Sequence, residues 1–214
     1  MREIALKIRD ITDSTDGSIY LDLDDVLCDT AVAYLDLIDR EFGLQIEFEQ
    51  IFSFDLQKSF GLSDEANQHM FRCAHQPDFI ININVFPGVS ETLERWKALG
   101  HRLHIVTGRH TSSYQPTLDW LEQNDIHYDS FTMVDKYGWE DTDHDLAVPL
   151  AAITSRDYFL AIEDNMEMTK FLTSSMDLPV MLYDRPWNRT LSPDRRVERF
   201  QDWNELNRDY PGGG

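Results

Sequence analysis

Short apolar runs recur along this chain, each separated from the next by a stretch whose apolar residues fall at helical spacing. Ile19, Tyr20 and Leu21 open the series as a buried strand. In "DTAVAYLDLIDREFG" the apolar positions Val32, Leu35, Ile38 and Phe42 share one helical face, with Asp29 or Thr30 to cap it and Gly43 to stop it. Residues 44 to 84 lack a strand pattern. They hold Phe52, Phe54, Phe60, Phe71 and Phe79 and a capped helix in "SDEANQHMFRCA", and they predict a small helical insert.

Alternation then resumes. Val89 to Leu99 predicts a helix ended by Gly100, "RLHIV" a strand, "TLDWLEQN" a helix and "SFTMV" a strand. "AVPLAAITS" predicts a helix, "YFLAI" a strand, "EMTKFLTSS" a helix and "PVMLY" the last strand. Strands separated by helices of this length imply an α/β fold, a parallel sheet with helices on both faces. In such sheets the ligand sits beyond the C-terminal strand ends, at the point where strand order reverses.

Four of those strand ends carry polar groups: Asp22/Asp24, Thr107-Gly108-Arg109, Asp135-Lys136 and Glu163-Asp164. A buried carboxylate without a partner costs several kcal/mol, so "SIYLDLDDVLCDT" needs a cation or a partner. Side chains two apart in extended backbone point the same way, which aims Asp22 and Asp24 together. One carboxylate can attack phosphorus and the other can shuttle a proton, while Mg²⁺ offsets their repulsion. The Thr107 hydroxyl and the Gly108 amide can hold phosphate oxygens, and Lys136 supplies a point charge. Glu163-Asp164 completes the oxygen-rich shell that Mg²⁺ requires. Arg109 reads as an ion-pair partner, "RPWNR" as the end of the last strand, and "EDTDHD" as a solvated acidic loop. None of the seven histidines forms a zinc pattern.

Composition narrows the reading. The 214 residues carry 19 basic and 39 acidic side chains, a formal charge of −20. Such a surface repels nucleic acid, which excludes a non-specific DNA or RNA binder and stable nucleic-acid binding. It also repels anionic substrates, so phosphate chemistry here depends on a divalent metal and a few placed donors. No apolar run is long enough to span a bilayer, and "MREIALKIRDITDSTDG" is too charged for a secretory signal peptide. Cys28 and Cys73 give no disulfide framework, and a cytoplasmic location is expected.

The motifs "DLDDV", "VTGR", "DK" and "IEDN" resemble the four motifs of haloacid-dehalogenase-type phosphohydrolases, over roughly residues 19 to 183. "LDLDDVLCDT", the insert before "VFPGVSETL", and "YDRPWNR" followed by "RVERFQDWNEL" are similar to the 5'(3')-deoxyribonucleotidase-like group. The resemblance implies a Rossmann-like three-layer core over residues 1–30 and 85–210, a substrate-selecting helical cap over 31–84, and a loose tail over 211–214. It also implies an Mg²⁺-dependent phosphomonoesterase working through an aspartyl-phosphate. Asp22 would be the nucleophile and Asp24 the general acid/base. Thr107, Gly108 and Lys136 would bind phosphate. The metal would sit on Asp22, the Asp24 backbone carbonyl and Asp164, with Glu163 behind them. The implied substrate is a small phosphorylated molecule, a nucleoside or deoxynucleoside monophosphate; oligomeric state is left open.

Two positions depart from the family pattern. Asp25 stands where Gly is usual. Related nucleotidases also often place the lysine about ten residues before the acidic pair, where this chain has Ile153, which leaves Lys136 as the candidate. The alternatives are a polynucleotide 3'-phosphatase, against which the −20 charge argues, and a catalytically weak binding or scaffold protein of the same fold. A dehalogenase would leave Asp24 without a role.

Overall fold

The computed structural model describes residues 17–53, 55–190 and 194–208. The expected tail over 211–214, the N-terminal arm and Phe54 lie outside them. Among the described residues the first element is strand β1 (Ser18–Leu21), followed by helices α1 (Thr30–Phe42), α2 (Leu56–Phe60), α3 (Asp64–Ala74) and α4 (Pro77–Ile81). Next come α5 (Val89–Ala98), β2 (Arg102–Thr107), α6 (Tyr114–Gln123), β3 (Ser130–Asp135) and β4 (Ala147–Pro149). The series closes with β5 (Leu160–Glu163), α7 (Met166–Ser175), β6 (Val180–Tyr183), β7 (Val197–Phe200) and α8 (Trp203–Arg208).

The strands form one parallel sheet in the order β4-β3-β2-β1-β5-β6-β7. Helices cover both faces, so central strands are buried on both sides and read as unbroken apolar runs. Side chains still alternate between the faces. Ile19, Leu21, Leu103, Ile105 and Ile162 pack with Trp96, Trp120 and Trp203 on one face. Tyr20, Val106 and Ala161 pack with Met168 and Leu172 on the other. Two of these indoles have their N–H groups satisfied by distant backbone: Trp120 donates to the Ile83 carbonyl and Trp203 to that of Val26.

Strand order reverses around β1, which has β2 on one side and β5 on the other. Leu21 pairs with both Ile105 and Ile162, so Asp22, Thr107 and Glu163 emerge at one edge. Among the described residues, the segment between β1 and α5 contains four α-helices, one short 3₁₀ helix (Phe48–Gln50) and no strand. Its apolar residues Leu37, Ile38, Ile51, Phe60 and Met70 form a third cluster, shared with Trp187 from beyond β6. Of the phenylalanines singled out there, Phe60 is buried, Phe71 and Phe79 are partly buried, and Phe52 is exposed.

Two elements differ from the sequence expectation. "AVPLAAITS" is not a helix: Ala147–Pro149 pairs with β3, and a 3₁₀ stretch, Leu150–Ser155, follows. Pro149 lacks an N–H and suits an edge strand, where no neighbour needs its donation. "PVMLY" is not the last strand either, because β7 adds a further edge. "RPWNR" turns between β6 and β7, with a short 3₁₀ helix over Pro186–Asn188. No helix among the described residues is long and apolar enough to cross a membrane.

Candidate active site

At the edge where β1, β2, β3 and β5 end, three carboxylates and one ammonium meet out of water. Asp22 is 5% exposed, Glu163 0% and Asp164 1%, and an oxygen from each lies within 4.8 Å of the others. Lys136 Nζ donates to Asp22 Oδ1 at 2.8 Å and stands 3.6 Å from Glu163 Oε1. Glu163 is otherwise committed: its Oε2 accepts the N–H groups of Asp164 and Asn165, both at 2.8 Å. This leaves Asp22 and Asp164 with carboxylate oxygens facing the cavity, while Glu163 braces the turn beneath them.

"RPWNR" has a part in this edge that its sequence reading missed. Trp187 Nε1 donates to Asp164 Oδ2 at 2.8 Å, and Asn188 Nδ2 donates to the Asp164 carbonyl at 2.7 Å. These bonds fix which Asp164 oxygen remains free.

Asp24 stands apart from the three-carboxylate cluster. Arg109 Nε lies 3.1 Å from both of its oxygens, Arg109 Nη2 donates to Oδ1 at 2.7 Å, and Thr30 Oγ1 donates at 2.6 Å. Arg109 also bonds Thr117 Oγ1, tying the β1 loop to α6. Asp25 has φ 55°, a left-handed backbone that glycine tolerates best and Asp tolerates better than most. That explains the usual Gly at this position. The Asp25 side chain accepts the Ala31 N–H at 3.0 Å, inside the first turn of α1.

Thr107 is fully buried, and its hydroxyl accepts the Arg109 N–H at 3.1 Å; it does not line the cavity. Gly108 does. A Cβ there would fall 2.7 Å from Lys136 Cδ and 3.1 Å from Tyr137 Cε2, so only glycine lets the lysine cross.

The electrostatics follow from burial. Burial pushes the Asp22 carboxyl up to about 7, with Lys136 opposing and Glu163 adding to the rise. Burial likewise raises Asp164 well above the carboxylate range, helped by Glu163 and Asp25. For Asp24 burial is again the largest influence, but the Arg109 guanidinium and the Thr30 hydroxyl outweigh it and hold the group low. Burial would lower Lys136, yet Asp22, Tyr20 and Glu163 keep it firmly protonated. Those upward shifts favour the neutral form of Asp22 and Asp164, and a divalent cation beside Lys136 would be what holds them ionised together. An all-oxygen donor set of that kind suits Mg²⁺.

Above this edge lies a cavity of about 470 Å³, within the range of small-molecule sites. Asp22, Gly108, Lys136 and Asp164 form its floor; Tyr34, Phe71, Phe79, Tyr137 and Trp139 supply aromatic wall. Asn67 also lines it, with a buried Oδ1 that has no hydrogen-bond partner. His75 stacks on His110 at 5.1 Å, joining the end of α3 to the loop after β2. The acidic loop of residues 140–145 is mostly exposed, with Asp141 bonded to His110 Nε2. Asn67 and the Arg109–Asp24 pairing carry no local sequence signal, since each depends on contacts between distant segments.

Comparison with known proteins agrees with this architecture. The family described as "5' nucleotidase, deoxy (Pyrimidine), cytosolic type C protein" matches residues 17–144. A curated relative from Halalkalibacterium halodurans, named "Putative nucleotidase BH1399", is 27% identical over 185 residues, covering 86% of this chain and 88% of that one. The chain also superposes on a HAD-superfamily hydrolase from Geobacter sulfurreducens, with a TM-score of 0.57, 16% identity and coverage of 91% and 96%. Mycobacterium tuberculosis protein tyrosine kinase A gives a TM-score of 0.64 at 15% identity, with coverage of 91% and 98%. A hydrolase and a kinase thus share the fold, and these structural likenesses speak to fold alone.

Proposed function

This chain belongs to the 5' nucleotidase, deoxy (pyrimidine), cytosolic type C family, and from that membership we propose that it is an Mg²⁺-dependent phosphomonoesterase acting on nucleoside or deoxynucleoside monophosphates. The observation that carries the reading is the Lys136–Asp22 contact of 2.8 Å beside Glu163 and Asp164, at the floor of the cavity.

In this reading Asp22 attacks phosphorus, the ester P–O bond breaks, and the phosphoryl group stays on Asp22 as an aspartyl-phosphate. Lys136 holds Asp22 in place and offsets charge on the phosphoryl oxygens, while the Gly108 amide borders the same space. Asp22, the Asp24 backbone carbonyl and Asp164 would hold Mg²⁺, which when bound lowers the repulsion between phosphate and carboxylates. Asp24 is held ionised by Arg109, the form that takes a proton from water attacking the acyl-phosphate. To protonate the leaving alkoxide, Asp24 must first part from Arg109 and take up a proton from solvent as substrate enters; it passes that proton to the alkoxide and is left ionised for the water step.

The helical segment over 31–84 acts as the cap. Its Tyr34, Phe71 and Phe79 give apolar and aromatic surface for a base. Asn67 Oδ1, buried without a partner, supplies an acceptor for a base N–H.

Phosphate release from a panel of nucleoside and non-nucleoside monophosphates tests the reading. Release should require Mg²⁺, stop in EDTA, fail to recover with Ca²⁺, and be abolished by Asp22→Asn. Full activity in chelator, or wild-type turnover by Asp22→Asn, would sink the mechanism. Silence toward every phosphomonoester would favour the scaffold alternative.

A further inference from the structure

Outside the cavity lining, the partly exposed surface of the insert brings together three donor groups of different chemistry. His69 and Cys73 stand one turn apart on α3 and so share a face. That helix packs on α1, whose penultimate residue is Glu41. His69 Nε2 lies 3.0 Å from Glu41 Oε2 and 3.6 Å from Cys73 Sγ, and all three donor atoms lie within 4.8 Å of one another. None of the three lines the cavity over the acidic edge.

The two separations at His69, 3.0 and 3.6 Å, lie within a few tenths of an ångström of a tetrahedral metal's ligand spacings. A tetrahedral Zn²⁺, with bonds of about 2.3 Å to sulfur and about 2.0–2.1 Å to nitrogen and oxygen, holds its sulfur and nitrogen ligands about 3.5 Å apart. Its nitrogen and oxygen ligands sit about 3.3 Å apart by the same geometry. The ring that would have to be held still is held already: Phe42 meets His69 edge to face at 5.8 Å. Arg40 Nε bonds Glu41 Oε1 at 3.0 Å, which leaves Oε2 turned toward the imidazole. A surface His–Glu pair alone would need no thiol beside it.

We infer that Glu41, His69 and Cys73 form a metal site separate from the acidic edge, suited to Zn²⁺ and related borderline-soft ions, with a fourth position open to water. The thiolate and imidazole exclude Mg²⁺, which takes oxygen ligands. Binding releases the Cys73 thiol proton, together with the imidazole proton wherever His69 is charged. The ion would clamp α1 to α3, the two helices that contribute Leu37, Ile38 and Met70 to the insert's apolar cluster. This inference stands whether or not the nucleotidase reading does.

The test is a Co²⁺ titration of the full chain in excess Mg²⁺, followed by the near-ultraviolet thiolate-to-cobalt absorption. One equivalent should bind, develop the band, and be displaced by Zn²⁺. Cys73→Ser should abolish the band. Cys73→Ser and His69→Gln should each weaken Zn²⁺ binding at least tenfold in competition with a chromophoric chelator, since even groups behind metal ligands cost about 10–100-fold. Asp164→Asn should leave the affinity unchanged. If Cys73→Ser fails to fold, protection of Cys73 from alkylation by Zn²⁺ in the unmodified protein gives the same answer. No band in the wild type, or Zn²⁺ affinity indifferent to Cys73 and His69 but lost in Asp164→Asn, would overturn the inference.

Discussion

Asp25 combines a backbone cost with an ionisation cost at one position. Its φ of 55° is a region that L-residues adopt at roughly 1–2 kcal/mol. Burial pushes its carboxyl up to about 8, with the Ala31 N–H and Arg185 pulling the other way. The unfolded chain gives up that proton near pH 4, so between about pH 4 and 8 the folded state binds more protons than the unfolded one. Stability attributable to Asp25 therefore falls as pH rises through that window. Asp25→Asn keeps an acceptor for Ala31 and a residue that tolerates the left-handed region, but it cannot ionise. Its thermal midpoint in EDTA should match the parent near pH 4 and exceed it at pH 8. A gap of about 1 kcal/mol would appear as roughly 2–4 °C in a chain of this size. Midpoints that run parallel across the range would mean that Asp25 stays ionised beside Arg185.

Between elements, the strongest tie at the site is Arg109, which joins the loop after β1 to α6 through Asp24 and Thr117. Both partners are largely withdrawn from water, with side-chain exposures of 7% and 30%. Arg109→Met would leave the half-buried Asp24 uncompensated, a loss of about 1–3 kcal/mol once its 30% exposure is allowed for. Asp24 is held below its ordinary value, so its contribution is present above about pH 4 and lost as pH falls through the lowered value. Urea unfolding should show the full deficit at pH 7 and a narrower one in acid. An equal deficit at both pH values would assign the effect to lost packing of the arginine stem.

The same elements show what the sequence made legible. The central strands could be read because both of their faces are buried, and Asp22, Lys136 and Asp164 could be placed because parallel strands end at one edge. β4 and β7 escaped because edge strands are short: "AVP" borders a 3₁₀ stretch that reads as helix, and "VERF" is half polar. The Trp187–Asp164 and Arg109–Asp24 bonds cross 23 and 85 positions, distances at which local pattern carries no information. His69 and Cys73 show the limit from the other side. Their one-turn spacing is visible in "HMFRC", but the third donor arrives only when α1 packs beside α3.

At the scale of the molecule, the −20 charge governs how a phosphate ester reaches the cavity. The two cations nearest the site, Lys136 and Arg109, are already engaged by Asp22 and Asp24, so neither projects an uncompensated field into solvent. An approaching dianion therefore meets net repulsion until it is close enough to displace those contacts. The range of that repulsion is set by salt, with a Debye length near 30 Å at about 0.01 M and near 10 Å at about 0.1 M. If the chain hydrolyses nucleoside monophosphates, kcat/KM should rise several-fold as NaCl increases across that interval at fixed free Mg²⁺. The value of kcat should change little, because charges packed inside the site are poorly screened. A neutral osmolyte at matched osmolality should leave both constants unchanged. A fall in kcat/KM with salt would mean that local positive potential at the cavity mouth outweighs the molecule's net charge, and that substrate is drawn in rather than held off.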